Sequence, residues 1–115
     1  MKKTIQTICL LAACCLATGV AGAETISPEA IQAKAKTCAA CHGEDGNASA
    51  SPMYPRLAGQ YHDYLARALH EYKSGERKNA IMAGFAATLS EAEIQGLSDY
   101  FGHMPGKLDD LSHHP

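Results

Sequence analysis

Residues 38–42 read Cys38-Ala39-Ala40-Cys41-His42, and this run limits the possible folds more than any other. Two thiols spaced by two residues and followed at once by an imidazole form the attachment signature of a c-type haem. The thiols add across the two haem vinyl groups as thioethers. Two intervening residues match the separation of those vinyls, and His42 is then held beneath the iron as a ligand. The chain must therefore fold around a flat apolar group, which supplies contact that a small domain otherwise lacks. Two other uses of a CxxC pair compete. A thioredoxin-type dithiol needs strands before and after the motif, and no run here shows convincing strand alternation. A zinc site needs two further ligands at suitable spacing, and there is no second CxxC.

The other cysteines lie upstream. Residues 1–23 read as a cleaved secretory signal: Met1-Lys2-Lys3 gives the positive start, an apolar stretch runs from Ile5 to Val20, and Ala21-Gly22-Ala23 is a small-x-small cleavage site. A retained anchor is a competing reading, but the stretch is short and rich in small residues. A second is a lipoprotein acylated at Cys14, after Leu11-Ala12-Ala13; the residues following Cys14 stay apolar, which argues against it. Cleavage removes Cys9, Cys14 and Cys15 and leaves Cys38 and Cys41 as the thiols of one domain, residues 24–115. Lys2 and Lys3 go too, so 8 Lys+Arg face 12 Asp+Glu, a formal charge of −4. An acidic surface disfavours nucleic acid and anionic membrane, and no stable membrane insertion is expected after cleavage.

Three helices are predicted, with no repeat and no second domain. Ser27-Pro28 is a good N-cap followed by a favoured first helical residue. Ile31, Ala35 and Cys38 then recur at helical spacing, so this helix runs into the motif. The second covers about Gln60–Ser74, with Tyr61, Leu65, Ala68, Leu69 and Tyr72 on one face and Gly75 placed to end it. The third opens on the capping box Ser90-Glu91-Ala92-Glu93, carries Ile94, Leu97, Ser98 and Phe101 inward, and stops at Met104-Pro105-Gly106. Segments 43–59 and 76–89 read as loops. The class is all-α, with about three main helices and loops long enough to need something to pack on.

The iron has a sixth position. A methionine sulfur opposite histidine raises the potential and closes the coordination shell, which suits electron transfer. Met53, Met82 and Met104 are the candidates. Met82 lies in the segment between the second and third helices, which can cross the far haem face, with Gly84 giving it room to turn. Position thus favours Met82; the competing readings are that Met82 is a core plug, that His62, His70 or His103 is the second ligand, or that the position is open.

Further stretches bring a resemblance. Cys38 to Asn47, Tyr54-Pro55-Arg56-Leu57-Ala58-Gly59-Gln60, Tyr64-Leu65, Tyr72-Lys73-Ser74-Gly75, Ile81-Met82-Ala83-Gly84 leading to Leu89-Ser90, and Ile94 to Phe101 together resemble class I cytochrome c. More narrowly, they are similar to the small bacterial periplasmic monohaem cytochromes called cytochrome c-553, and to one half of the dihaem cytochrome c-4 group. The resemblance implies the class I cytochrome c fold, His42 as proximal ligand and Met82 as distal ligand. It also implies that the Pro55 carbonyl accepts the free N–H of His42, as a ligating histidine usually requires. It crosses the first and last helices, so that Ile31 and Ala35 meet Leu97 and Phe101. Gly84-Phe85 stands where many relatives carry a second Met or a Pro; Phe85 is expected near the haem edge. The tail Asp109–Pro115, with His113 and His114, has no counterpart and reads as solvated.

The expected function is a periplasmic, non-enzymatic electron carrier with one covalent haem c. A quinol-oxidising complex or dehydrogenase would be the donor and a terminal oxidase or reductase the acceptor. The alternatives are the haem subunit of a periplasmic dehydrogenase complex, and a haem sensor or peroxidase-like enzyme with an open distal position.

Overall fold

The computed structural model describes residues 24–47 and 51–107. The signal segment, Cys14, and the tail with His113 and His114 lie outside the described residues. Four helices follow in order: α1 (Pro28–His42), α2 (His62–Ser74), α3 (Ala80–Ala87) and α4 (Glu91–Gly102). No strand occurs among the described residues, so the all-α class holds.

Each helix starts where its local chemistry requires. Ser27 is extended, its hydroxyl accepts from the Ala30 N–H, and Pro28 takes the first helical place. Ser90 caps α4, accepting from the Glu93 N–H at 3.2 Å, while the Glu93 carboxylate accepts from the Ser90 N–H at 2.8 Å. α2 begins at His62 instead of Gln60, because Gly59 and Gln60 are engaged as a turn. The Gly59 N–H donates to the Phe101 carbonyl and the Gln60 N–H to the Leu57 carbonyl. Gly75, left-handed at φ 82°, ends α2.

α3 corrects the expectation of a loop over 76–89. Ala80-Ile81-Met82-Ala83-Gly84-Phe85-Ala86-Ala87 is apolar at every side chain, so it shows no amphipathic period, and Gly84 argues against helix on propensity. The missed signal is Asn79, a good N-cap residue directly before the run. Its side chain accepts from the N–H groups of both Ile81 and Met82. Met82 thus sits in the first turn of a helix.

Ile31, Ala35, Leu65, Ala66, Leu89, Ile94, Leu97 and Phe101 form one buried cluster. It contains the two pairs expected where α1 meets α4, and those helices are in contact. The crossing is close because α4 presents Gly96 to Ile31. A Cβ on Gly96 would stand 2.7 Å from Ile31 Cγ1 and closer still to Cδ1. α2 packs on both α3 and α4, whereas α1 and α3 make no contact with each other. The gap between them is where the site lies.

Candidate functional site

Five residues on one face of α1 open onto a single cavity: Lys34, Thr37, Cys38, Cys41 and His42. Their spacing of three and four places puts them in one stripe of a 3.6-residue helix. Ile31 and Ala35 lie on the adjoining flank of the same side, a turn or more before Cys38 and His42, and enter the core cluster. The motif is therefore presented to the cavity by ordinary helical geometry. Both thiols are free and partly buried. Burial pushes the Cys38 thiol above its ordinary value.

His42 is buried at 7% exposure. Its Nδ1 lies 2.7 Å from the Pro55 carbonyl oxygen. A carbonyl only accepts, so Nδ1 carries the proton and Nε2 keeps its lone pair. The Tyr54 ring meets the imidazole edge-on at 6.1 Å between centroids. The residues that present Pro55 are tied down in turn. Leu57 and Ala58 N–H groups both donate to the Gly46 carbonyl, and Arg56 Nε donates to the Asn47 carbonyl at 3.1 Å. Asn47 is itself buried; its amide donates to the Pro105 carbonyl at 2.9 Å and accepts from the Lys107 N–H at 2.8 Å. Gly59, at φ 73°, lies so near residue 106 that a Cβ would stand 2.7 Å from Gly106 Cα. The segment after the motif is thus clasped to the segment after α4. Sequence reasoning missed Asn47, because its partners stand about sixty positions away.

The cavity encloses about 640 Å³, within the range of cofactor sites. Its walls come from all four helices, largely through apolar side chains such as Leu65, Leu69, Leu97 and Phe101. Close-packed interiors hold few voids larger than a water molecule. A cavity of this size and apolarity in so small a domain is shaped for a bound apolar group. Two free thiols, an imidazole with a free Nε2 and a thioether on its walls are the donors a c-type haem uses.

The ligand candidates are sorted by position. Met82, partly buried on α3, lines the cavity. Because α1 and α3 do not touch, His42 and Met82 reach it from separate walls. Met53 also lines it but is 81% exposed. Met104 packs against the core cluster and is not on the cavity wall. His62 and His70 line a different, outer groove along α2, and His103 is exposed with Nδ1 on the Asp99 carbonyl. None of those three histidines lines the cavity. Phe85 stands at its lip, about half exposed. Ser98, 1% exposed, donates its hydroxyl to the Ile94 carbonyl at 2.7 Å, so a polar group on the wall is satisfied. No group of three or more His, Cys, Asp or Glu among the described residues could hold a bare metal ion. No helix among them is long and apolar enough to cross a membrane.

A family model described as Cytochrome c matches residues 29–105. Cytochrome c4 of Pseudomonas aeruginosa is 39% identical over 94 residues, covering 80% of this chain and 46% of that protein. The thiosulfate dehydrogenase electron acceptor of Thiomonas intermedia is 41% identical over 71 residues, covering 62% of this chain and 33% of that protein. The crystal structure of reduced cytochrome c4 from Pseudomonas stutzeri superposes with a TM-score of 0.63 at 36% identity, covering 71% of this chain and 47% of that one. The chain thus spans half or less of the length of these relatives.

Proposed function

Because the chain belongs to the cytochrome c family, we propose that it carries single electrons on one covalent haem c and is a carrier, not an enzyme. Its four helices have the class I cytochrome c fold. When bound, the haem supplies exchange between ferric and ferrous iron. Cys38 and Cys41 hold it as thioethers. His42 Nε2 is the proximal ligand, with Pro55 fixing the tautomer and the ring. Met82 is the distal ligand; a sulfur there raises the potential and keeps exogenous ligands off the iron. The apolar walls exclude water. The observation that carries this reading is the pairing of His42 and Met82 on one cavity, from two helices that do not touch.

The export-type N-terminus supports a periplasmic location. In that compartment the donor is a quinol-oxidising complex or a dehydrogenase, and the acceptor a terminal oxidase or reductase. The likeness to an electron acceptor of thiosulfate dehydrogenase favours a second reading, a haem subunit of a periplasmic dehydrogenase. Purification separates the two: a chain isolated as a monomer, without a larger catalytic partner, rejects the subunit reading.

Met82→Ala tests the ligand. The variant should retain covalent haem, lose the sulfur-to-iron charge-transfer band of the ferric protein, bind added imidazole and show a lower reduction potential. A wild-type spectrum in the variant would remove Met82 from the iron.

A further inference from the structure

We propose that Asn79 is a positioning residue for the distal ligand: its side chain holds the first turn of α3, and so Met82, at the cavity. The inference rests on Met82 being the ligand and adds what keeps it there.

α3 has eight residues, two turns, and one of them is Gly84. Helices this short are not stable on propensity alone, so α3 is held by its surroundings. The two ends are held differently. At the C-terminal end, Ala86 and Leu89 are buried, the Leu89 N–H donates to the Ala86 carbonyl, and Lys73 Nζ donates to the Leu89 carbonyl. At the N-terminal end Ala80 and Ile81 are exposed and Met82 and Ala83 partly buried, and none of the four enters the buried core cluster. That end is fixed by polar contacts. Asn79 Oδ1 accepts from Ile81 N–H and Met82 N–H, both at 3.0 Å. The Asn79 carbonyl accepts from the Ala83 N–H at 2.8 Å. One of the two side-chain bonds is therefore to the backbone of the ligand residue itself.

Asn79 is placed in turn by Arg77. The Arg77 N–H donates to the Glu71 carbonyl at 3.0 Å, and Nη2 donates to the Tyr64 hydroxyl at 3.2 Å. The guanidinium also stacks over the Tyr72 and Tyr64 rings at 5.3 and 5.8 Å and pairs with the Glu71 carboxylate at 3.7 Å. These contacts tie the start of α3 to α2, and Arg77, Tyr64, Tyr72 and Asn79 all line the cavity. A side-chain fork shared by a ring hydroxyl and a carboxylate is a geometry that arginine supplies and lysine does not.

Removing the cap lets the first turn open, and each opening exposes the iron to competitors. The apparent affinity of an exogenous ligand rises with the open fraction. The experiment is imidazole titration of the ferric, haem-loaded protein, read from its visible spectrum, with the reduction potential and the thermal midpoint measured beside it. Asn79→Ala should bind imidazole about fivefold more tightly than wild type, equivalent to about 1 kcal/mol, with a lower potential. Asn79→Asp keeps an acceptor at the same place and should restore both values. Arg77→Lys, which keeps the charge but not the fork, should move in the direction of Asn79→Ala and gives the answer if that variant fails to fold. Ser90→Ala removes the corresponding cap of α4 and should lower the thermal midpoint without tightening imidazole binding. The proposal is overturned if Asn79→Ala, or Arg77→Lys in its place, binds imidazole no more tightly than Ser90→Ala. Met82→Ala, run alongside, isolates the premise. If it too binds imidazole as wild type does, the ligand assignment has failed and the positioning role with it. If it binds strongly while the cap and fork variants do not, only the positioning role is lost.

Discussion

Asn47 joins two segments that the sequence keeps far apart. Its carbonyl holds Arg56, its amide donates to Pro105, and it accepts from Lys107. Replacement by alanine leaves the Pro105 carbonyl and the Lys107 N–H without this partner and loosens the segment that carries Pro55. The amide's bond to the Asp45 carbonyl is lost as well, so at about 1 kcal/mol for each of three lost bonds Asn47→Ala should destabilise the haem-loaded protein by about 3 kcal/mol. Urea unfolding followed by far-UV circular dichroism reads this; an unchanged midpoint would deny Asn47 that role. Residues whose partners are local were legible in the sequence: Ser27, Ser90 and Gly75 announce themselves within four positions. The motif was legible for the same reason, since its five residues carry their own chemistry. Asn47 was not, because a buried amide among glycines and turn residues looks like any loop asparagine until its distant partners are seen.

Among the elements, α1 and α4 depend on the absence of a side chain at Gly96. Adding one methyl forces Ile31 aside at the crossing. Overpacking of this kind costs about 1–3 kcal/mol. Gly96→Ala should lose that much in denaturant unfolding, and adding Ile31→Val should return part of it; simple additivity of the two losses would mean that they do not meet at one contact. A charge contact ties the same pair of helices, with Lys34 Nζ 2.5 Å from a Glu93 carboxylate oxygen. The Lys34 hydrogen bond, helped by the Ser90 N–H, holds the Glu93 carboxyl below its ordinary value. A carboxyl lowered by folding stabilises the native state above its unfolded value, and that contribution disappears as pH falls through the folded value. Glu93→Gln keeps an acceptor for the Ser90 N–H and removes the ion pair. It should lose about 0.5 kcal/mol at neutral pH and converge on wild type in acid; a constant difference across pH would rule out the pair as its source. The helices that start on a polar cap and alternate apolar with polar faces were legible. α3 was hidden because a run of apolar side chains has no period to read, and its evidence is one asparagine before it.

At the scale of the molecule, the helices enclose a cavity that their own side chains do not fill. Replacing Cys38 and Cys41 together by alanine should abolish retained haem, checked by the mass of the denatured chain, and should sharply reduce helical signal. A fully helical, cooperative apo-protein would show that the haem adds little to the core. Haem attachment was legible from five residues, but the second wall of its site was not: proximity of Met82 to the cavity depends on α2 carrying α3 round to face α1. Among the described helices, α1 packs on α4 alone, the fourth in chain order. A chain delivered N-terminus first therefore presents both cysteines and His42 on a segment without a helical partner until residues 91–102 follow.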